Sequence, residues 1–437
     1  MDLTRRRFLA APVALGGAAV AANGLMAALA AESAPMPDLS TWEGVRAQFS
    51  LDPDLLHFAS FFIASHPAPV RNAVETWRRA MDANPFHVIE EGMFTGDENN
   101  VPLKVQAEVA KYLGGRTEDV ALTRATTEGL ALVYLGLPLK PGDEVVVTTH
   151  DHYSHHESIR FATDRSGASM RKIPLYDDPA TATVDSLVDN LLKGIGPKTR
   201  VVGITWVHSS TGMRLPIREM AQALKAKHPD VLLVIDGVHG LGAVDETLAT
   251  VGADYISAGT HKWMFAPRGT GIVWSTADGW ARLRPLVPTF SDWEAYEAWT
   301  QDRVPKGPTN AARMTPGGFH AFEHQWAMTA AFGMHQAMGR QRVANRIASM
   351  NTQLKDALKG NKKIRVHTPQ SPALSAGLVA FEIDGIKPED IVKRLGEQHI
   401  VASTSPYAIT YARLAPSLVN TPEEVDRAAQ AVLRLAG

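Results

Sequence analysis

The sequence predicts an α/β protein with a large domain on a mostly parallel sheet and a smaller α+β domain closing the chain. Two observations carry this. First, the β-branched runs VALTR (120–124), EVVVTT (144–149), VVGITWV (201–207), VLLVID (231–236), DYISAG (254–259) and GIVWS (271–275) recur along the middle of the chain. Most are separated by stretches of helical spacing such as PIREMAQALKAKH (216–228), the alternation of a parallel sheet covered by helices on both faces. Second, the pattern changes after Trp326. A long helical reach (327–360) precedes shorter runs at 377–383, 399–405 and 409–414 and a last helix over 423–437, which predicts a small domain beginning near residue 325. With 437 residues, 45% hydrophobic and 21% charged, the chain has the composition of globular protein.

The elements follow in order. Residues 1–30, MDLTRRRFLAAPVALGGAAVAANGLMAALA, join clustered arginines to a modestly apolar Ala/Gly/Leu stretch and then small residues suited to signal cleavage. Thr4-Arg5-Arg6-Arg7-Phe8-Leu9 resembles the twin-arginine consensus, and Ala28-Leu29-Ala30 offers an Ala-x-Ala site. The expectation is a leader read by the twin-arginine export machinery and cleaved near Ala30, leaving a periplasmic protein. A single membrane anchor is the alternative, although so many glycines and alanines make a weak spanning helix. Residues 31–95 form an N-terminal segment in which Pro67 and Pro69 interrupt a short apolar run. Over 102–114, Leu103, Val105, Val109 and Leu113 fall near helical spacing, and Gly114-Gly115 ends the helix. The large domain is expected to span 96–325 and the small one 326–437.

Charge narrows the partners. Lys+Arg number 44 against Asp+Glu 46, a net charge of −2 with no basic stripe, so no nucleic-acid footprint is present and small molecules are the expected partners. The chain contains no cysteine, which removes disulfides, thiolate nucleophiles, cysteine zinc ligands and any chemistry through a protein persulfide.

Two histidine-rich motifs suggest zinc. THDHYSHH (149–156) places His150, His152, His155 and His156 after an apolar run, and HAFEH (320–324) matches an HxxEH pattern whose His320 and His324 would share one helical face. In the first, Ser154 stands where the metallo-hydrolase signature has an aspartate. The second is five letters in a chain with 16 histidines.

A different constellation explains more. The run VLLVID ends in Asp236, followed by GVHG, and the next run leads through AGTHKWMFAPRGTG past Lys262. Both charges would sit at the C-terminal edge of the sheet, where open α/β sheets bind ligands. A lysine near an aspartate under glycine-rich turns suits a pyridoxal phosphate Schiff base with a carboxylate partner for the ring nitrogen. A plain Asp–Lys ion pair is the alternative.

At these motifs the chain resembles the class V family of fold-type I pyridoxal phosphate enzymes, and within it the isopenicillin N epimerase-like branch with its HKW signature. The resemblance implies that Lys262 carries the cofactor, Asp236 partners the ring nitrogen and His239 the phenolic oxygen. TRATTEG resembles the phosphate loop, so Ala125, Thr126 and Thr127 would hold the phosphate at the start of the following helix. His152 of DHY would stack on the ring, answering the first histidine motif without a metal. Where desulfurase relatives place a serine three residues before the lysine, this chain has Gly259, so Thr260 and His261 become the expected phosphate donors. Ser209 matches a residue near the phenolic oxygen. Arg413 in YARLAPSLVNT matches the arginine that binds a substrate carboxylate; an anchoring arginine is the alternative. Thr315 and His320 would approach the phosphate of a second subunit in a homodimer.

The expected activity is that of an exported enzyme acting at Cα of an amino-acid or peptide amine, with aminotransfer or deamination preferred over epimerisation or β-elimination. The leader together with this family resembles the periplasmic enzyme that tailors the glutamyl group of pyoverdine siderophores. From another class, a zinc hydrolase or a non-catalytic binding protein remains the competing reading.

Overall fold

The computed structural model describes residues 25, 27–29, 36–94 and 98–437. The twin-arginine motif lies outside the described residues. Leu25 and Ala28, inside the expected leader, are buried against the large core. No helix among the described residues is long and apolar enough to cross a membrane.

A seven-stranded sheet organises the large body. Its strands are β1 (Val120–Thr123), β2 (Glu144–Thr148), β3 (Ser169–Ile173), β4 (Thr199–Thr205), β5 (Leu232–Asp236), β6 (Tyr255–Gly259) and β7 (Gly271–Ser275). The order across the sheet is β1-β7-β6-β5-β4-β2-β3. β3, β2, β4, β5 and β6 run parallel, while β7 is antiparallel to both β6 and β1. The inner strands are buried along nearly their whole length, because helices cover both faces of a parallel sheet. β3, SMRKI, has no apolar run for a sequence reading to find; it is the edge strand, and its polar residues face water.

Register brings the strand ends together. Thr205 pairs with Asp236 and Asp236 with Ser257, so β4, β5 and β6 finish side by side. Because β7 runs the other way, Gly271 lies beside both Gly259 and Thr123, which places the end of β1 at the same edge. Close approach is essential behind it: a Cβ at Gly240 would lie 2.3 Å from the Trp206 ring.

A second core fills the smaller unit. Its four-stranded antiparallel sheet has the order β10-β11-β9-β8, with β8 Ile364–Val366, β9 Val379–Ile383, β10 Ser403–Thr404 and β11 Ala412–Leu414. The helices Arg340–Leu358 and Pro422–Ala436 pack on it. The expected long helix over 327–360 is two helices, Met328–Met338 and Arg340–Leu358, broken where Gly339 takes φ 84°. The cores change over within the second of these. Val343 and Ile347 belong to the large core, Met350 and Leu354 to the small one, well past residue 325. The N-terminal segment threads both, since Leu56 and Phe58 are buried in the small core and Phe61 and Ala64 in the large one. Fully buried Lys355 donates to the carbonyls of Pro369 and Gln370 and to Ser375 Oγ, pinning the loop before β9.

Candidate active site

Asp236, at the tip of β5, is 2% exposed and its Oδ1 accepts from the backbone N–H of Val238 at 3.1 Å. Burial pushes its pKa up to about 6. Lys262 follows β6 and makes no salt bridge to it. Its Nζ lies 3.1 Å from Nε2 of buried His239, the third residue after Asp236. Burial lowers the Lys262 pKa to about 8, against the pull of Asp236. The plain ion pair is therefore not formed: Lys262 Nζ meets His239 and Asp236 accepts from Val238 N–H, with no salt bridge between the two charges.

Beside them stands an uncapped helix. Thr126–Gly136 begins after Ala125, which is extended and makes no side-chain cap, so backbone N–H groups of the first turn point outward as an anion site. Thr126 Oγ1 accepts from Gly259 N at 2.7 Å, fastening this helix start to the lysine loop and leaving its O–H free to donate. Thr127 is exposed at the same end. A Cβ at Gly259 would lie 2.8 Å from His261 Cε1 and 3.2 Å from Thr126 Oγ1, which explains why no serine stands there. His261 Nδ1 is buried without a partner.

Thr260 is a correction. Its N–H donates to Thr270 O, and its hydroxyl meets Thr270 Oγ1 at 2.6 Å. Since Thr270 gives its own proton to Pro267 O, Thr260 must donate to Thr270. Both Thr260 donors are committed inside the loop, so it is no phosphate ligand.

The four rings of the first histidine motif go to four places. His152 caps the helix Tyr153–Ser166, its Nδ1 facing Ser154 N at 3.3 Å and Ser154 Oγ at 2.9 Å. His150 stacks on Tyr176 with centroids 3.8 Å apart, and His156 Nε2 meets the Thr148 carbonyl at 2.8 Å. His155 is fully buried against Tyr134. Asp151 Oδ1 accepts from Thr205 N at 2.7 Å, and its Oδ2 from Thr148 N at 2.8 Å, so the carboxylate ties β2 to β4 and sets the loop that carries His152. Burial pushes the His152 pKa down.

In HAFEH, the helix is Phe322–Trp326, so His320 precedes it and does not share a face with His324, contrary to what the spacing predicts. His324 Nδ1 meets the Arg268 carbonyl and His320 Nδ1 that of Gly318. Among the described residues no three histidine, aspartate or glutamate side chains form a group able to hold a metal ion. His320 lines a cavity of about 660 Å³ walled by Phe86, Phe290, Trp293, Tyr296 and Phe319. Thr315 is another correction: it is 5% exposed, and its hydroxyl accepts from Leu122 N and donates to Ala311 O, so it faces inward and offers nothing to a second subunit.

Arg413 reaches the site from β11. It is 3% exposed and has no acidic partner. Nη1 donates to Ser209 O at 2.5 Å and Nη2 to Thr404 O at 2.6 Å, while Nε is buried and unpartnered. Its guanidinium lies 4.8 Å from the Phe61 ring, and burial brings its pKa down to about 10. A buried cation with no anion and an unpartnered Nε–H is prepared for a carboxylate. Ser209 Oγ meets Tyr407 OH at 2.7 Å, so that hydroxyl faces the small domain.

Three residues escaped the sequence reading: Tyr407, Phe61 and Trp263. Tyr407 and Phe61 sit in loops without a spacing signal. Trp263 belonged to the quoted HKW and had no role assigned.

A mostly parallel α/β body with this lysine, aspartate and uncapped helix at one sheet edge defines a fold-type I pyridoxal phosphate site. The pattern of the aminotransferase class-V family matches residues 65–426, and the chain belongs to that family, whose enzymes depend on pyridoxal phosphate. It is 26% identical to an isopenicillin N epimerase of Amycolatopsis lactamdurans over 79% of this chain and 85% of that one. The isopenicillin N epimerase of Streptomyces clavuligerus is 25% identical over 91% and 99%. A probable cysteine desulfurase of Vibrio cholerae serotype O1 is 24% identical over 74% and 80%. Among solved structures, a cysteine desulfurase from Thermococcus onnurineus superposes with TM-score 0.77 at 19% identity, covering 92% of this chain and 99% of that one.

The residues fit the cofactor. Asp236 lacks a donor that a protonated ring nitrogen supplies, Lys262 is a basic amine free of any carboxylate, and the helix start beside His261 awaits an anion.

Proposed function

We propose that the protein is an exported, pyridoxal phosphate-dependent enzyme that removes nitrogen from an amino acid or from a peptide bearing a free amine. The observation that carries the substrate class is Arg413, a buried guanidinium with a free Nε–H and no acidic partner, close to Ser209 and Phe61.

When bound, pyridoxal phosphate supplies an electron sink conjugated to the substrate's Cα. Lys262 would hold its reactive carbon, Asp236 the ring nitrogen, His239 the phenolic oxygen, and the N–H groups after Ala125 with Thr126 and Thr127 the phosphate. Arg413 fixes the substrate carboxylate. Lys262 Nζ, whose basicity burial brings close to neutral pH, takes the proton from Cα and can return it elsewhere. The absence of cysteine removes the persulfide route of the desulfurase relatives. Export rests on the twin-arginine leader, and dimerisation on the exposed aromatics Phe86, Trp299 and Phe319.

Epimerisation is the second reading, favoured by the two isopenicillin N epimerases among the relatives. Incubation of the loaded enzyme with amino acids and free-amine peptides in deuterated water separates them. Nitrogen removal gives a keto product, with the nitrogen kept on the cofactor in its amine form for aminotransfer or released as ammonia for deamination; epimerisation gives deuterium at Cα with the visible band retained. Clean racemisation without keto product would overturn the first reading.

A further inference from the structure

We infer that Trp263 is a positioning residue that fixes the tautomer of His239, making His239 Nε2 a hydrogen-bond donor toward the lysine that carries the cofactor. The assignment rests on the pyridoxal phosphate site described above.

The tautomer follows by elimination. Trp263 Nε1 lies 3.3 Å from His239 Nδ1, and both side chains are buried. An indole nitrogen can only donate, so Nδ1 must accept and carries no proton. A doubly protonated ring would set two N–H groups against each other, and burial already drives the His239 pKa well below its ordinary value. The ring is therefore neutral with its proton on Nε2. That N–H faces Lys262 Nζ at 3.1 Å, which can accept only as the free amine, the form Lys262 takes above its pKa of about 8. Trp263 thus acts on the lysine through His239.

The indole cannot turn away. A Cβ at Gly377, in the loop before β9, would lie 2.4 Å from Trp263 Cζ2, so this loop closes directly on the ring. On the other side, Phe265 is held at φ 55°, a left-handed conformation rare outside glycine, while its N–H donates to Lys262 O at 3.0 Å. This tight turn sets the orientation of Lys262 and Trp263 together.

The consequence is chemical. On pyridoxal phosphate the phenolic oxygen sits on the ring atom next to that bearing the carbon Lys262 binds, so a donor at Nε2 favours that oxygen as the anion. The opposite tautomer would present a lone pair and favour its protonated form. Fixing the donor lowers the pH at which the cofactor–lysine linkage loses its proton.

Two measurements test this. In the full chain without cofactor, held above the Lys262 pKa of about 8, labelled with ¹⁵N-histidine and assigned by loss of signal in His239→Gln, His239 is expected to carry its proton on Nε2 and to become a mixture of tautomers in Trp263→Phe. In the loaded protein, the midpoint of the visible absorbance change with pH is expected to rise by about one unit, a tenfold change in proton affinity, in Trp263→Phe. The same substitution in a His239→Gln background should leave the midpoint in place, because an amide donates whatever the indole does. A wild-type proton on Nδ1 overturns the inference even where Trp263→Phe fails to fold, and without reference to the cofactor. A midpoint unmoved by Trp263→Phe in a normally loaded protein overturns the link to the lysine.

Discussion

Arg413 donates to the carbonyl of Ser209 at 2.5 Å, so the guanidinium proposed to meet a substrate is also a strut between the small sheet and the loop after β4. Tyr407 holds the hydroxyl of the same serine. On that proposal, substrate binding and the seating of the two units are coupled through Ser209.

Replacing Arg413 by lysine keeps a cation but loses the planar fork. With one charge-assisted bond lost, kcat/KM is expected to fall by about 2 kcal/mol, near thirtyfold, mostly in KM. Steady-state kinetics beside a melting curve check this; a drop in melting temperature with KM unchanged would make Arg413 a strut alone.

Lys262→Ala is expected to abolish the borohydride-reducible attachment of pyridoxal phosphate, although phosphate contacts at Thr126 can retain some cofactor. After reduction and digestion of the wild type, mass spectrometry should find the pyridoxyl group on the Lys262 peptide. An adduct on another lysine refutes the assignment.

Asp236 gives the cofactor-free protein a pH signature. Its folded pKa of about 6 exceeds the ordinary 3.8, so between these values the folded chain holds a proton that the unfolded chain has released. Stability should therefore fall as pH rises from near 4 to near 6, by an amount on the order of 3 kcal/mol across that window. Denaturant titrations should show this slope, flattened in Asp236→Asn and weakened when pyridoxal phosphate supplies a donor. An equal slope in the variant would assign it to other groups.

His152 caps a helix and is proposed to stack on the cofactor, two roles that separate by substitution. His152→Ala removes both the helix cap, worth about 1 kcal/mol, and the ring. His152→Asn restores a cap without an aromatic face, so it should recover most of the stability while leaving the cofactor spectrum altered. Recovery of the wild-type spectrum in the asparagine variant would show that the ring does not meet the cofactor.

Much of the large body is legible because its strands are short apolar runs bounded by turn residues, and because Asp236 ends one of them and Lys262 follows another. Edge strand β3 is not, since solvent exposure leaves it no hydrophobic pattern. The break at Gly339 is hidden too, because a single glycine is compatible with a continuous helix until packing requires the turn.

By itself the sequence determined the alternating fold, the candidate lysine and aspartate, and the chemistry that a chain without cysteine must forgo. Those follow from local pattern and residue type. The tertiary structure decided how the donors are spent. Thr260 and Thr315 have suitable hydroxyls by type, yet Thr270, Leu122 and Ala311 use them up. The tautomer of His239 depends on Trp263, and the reach of Arg413 depends on Ser209. A hydrogen bond is a property of a pair with a distance and a direction, and residues far apart in the chain become a pair only when the fold has closed.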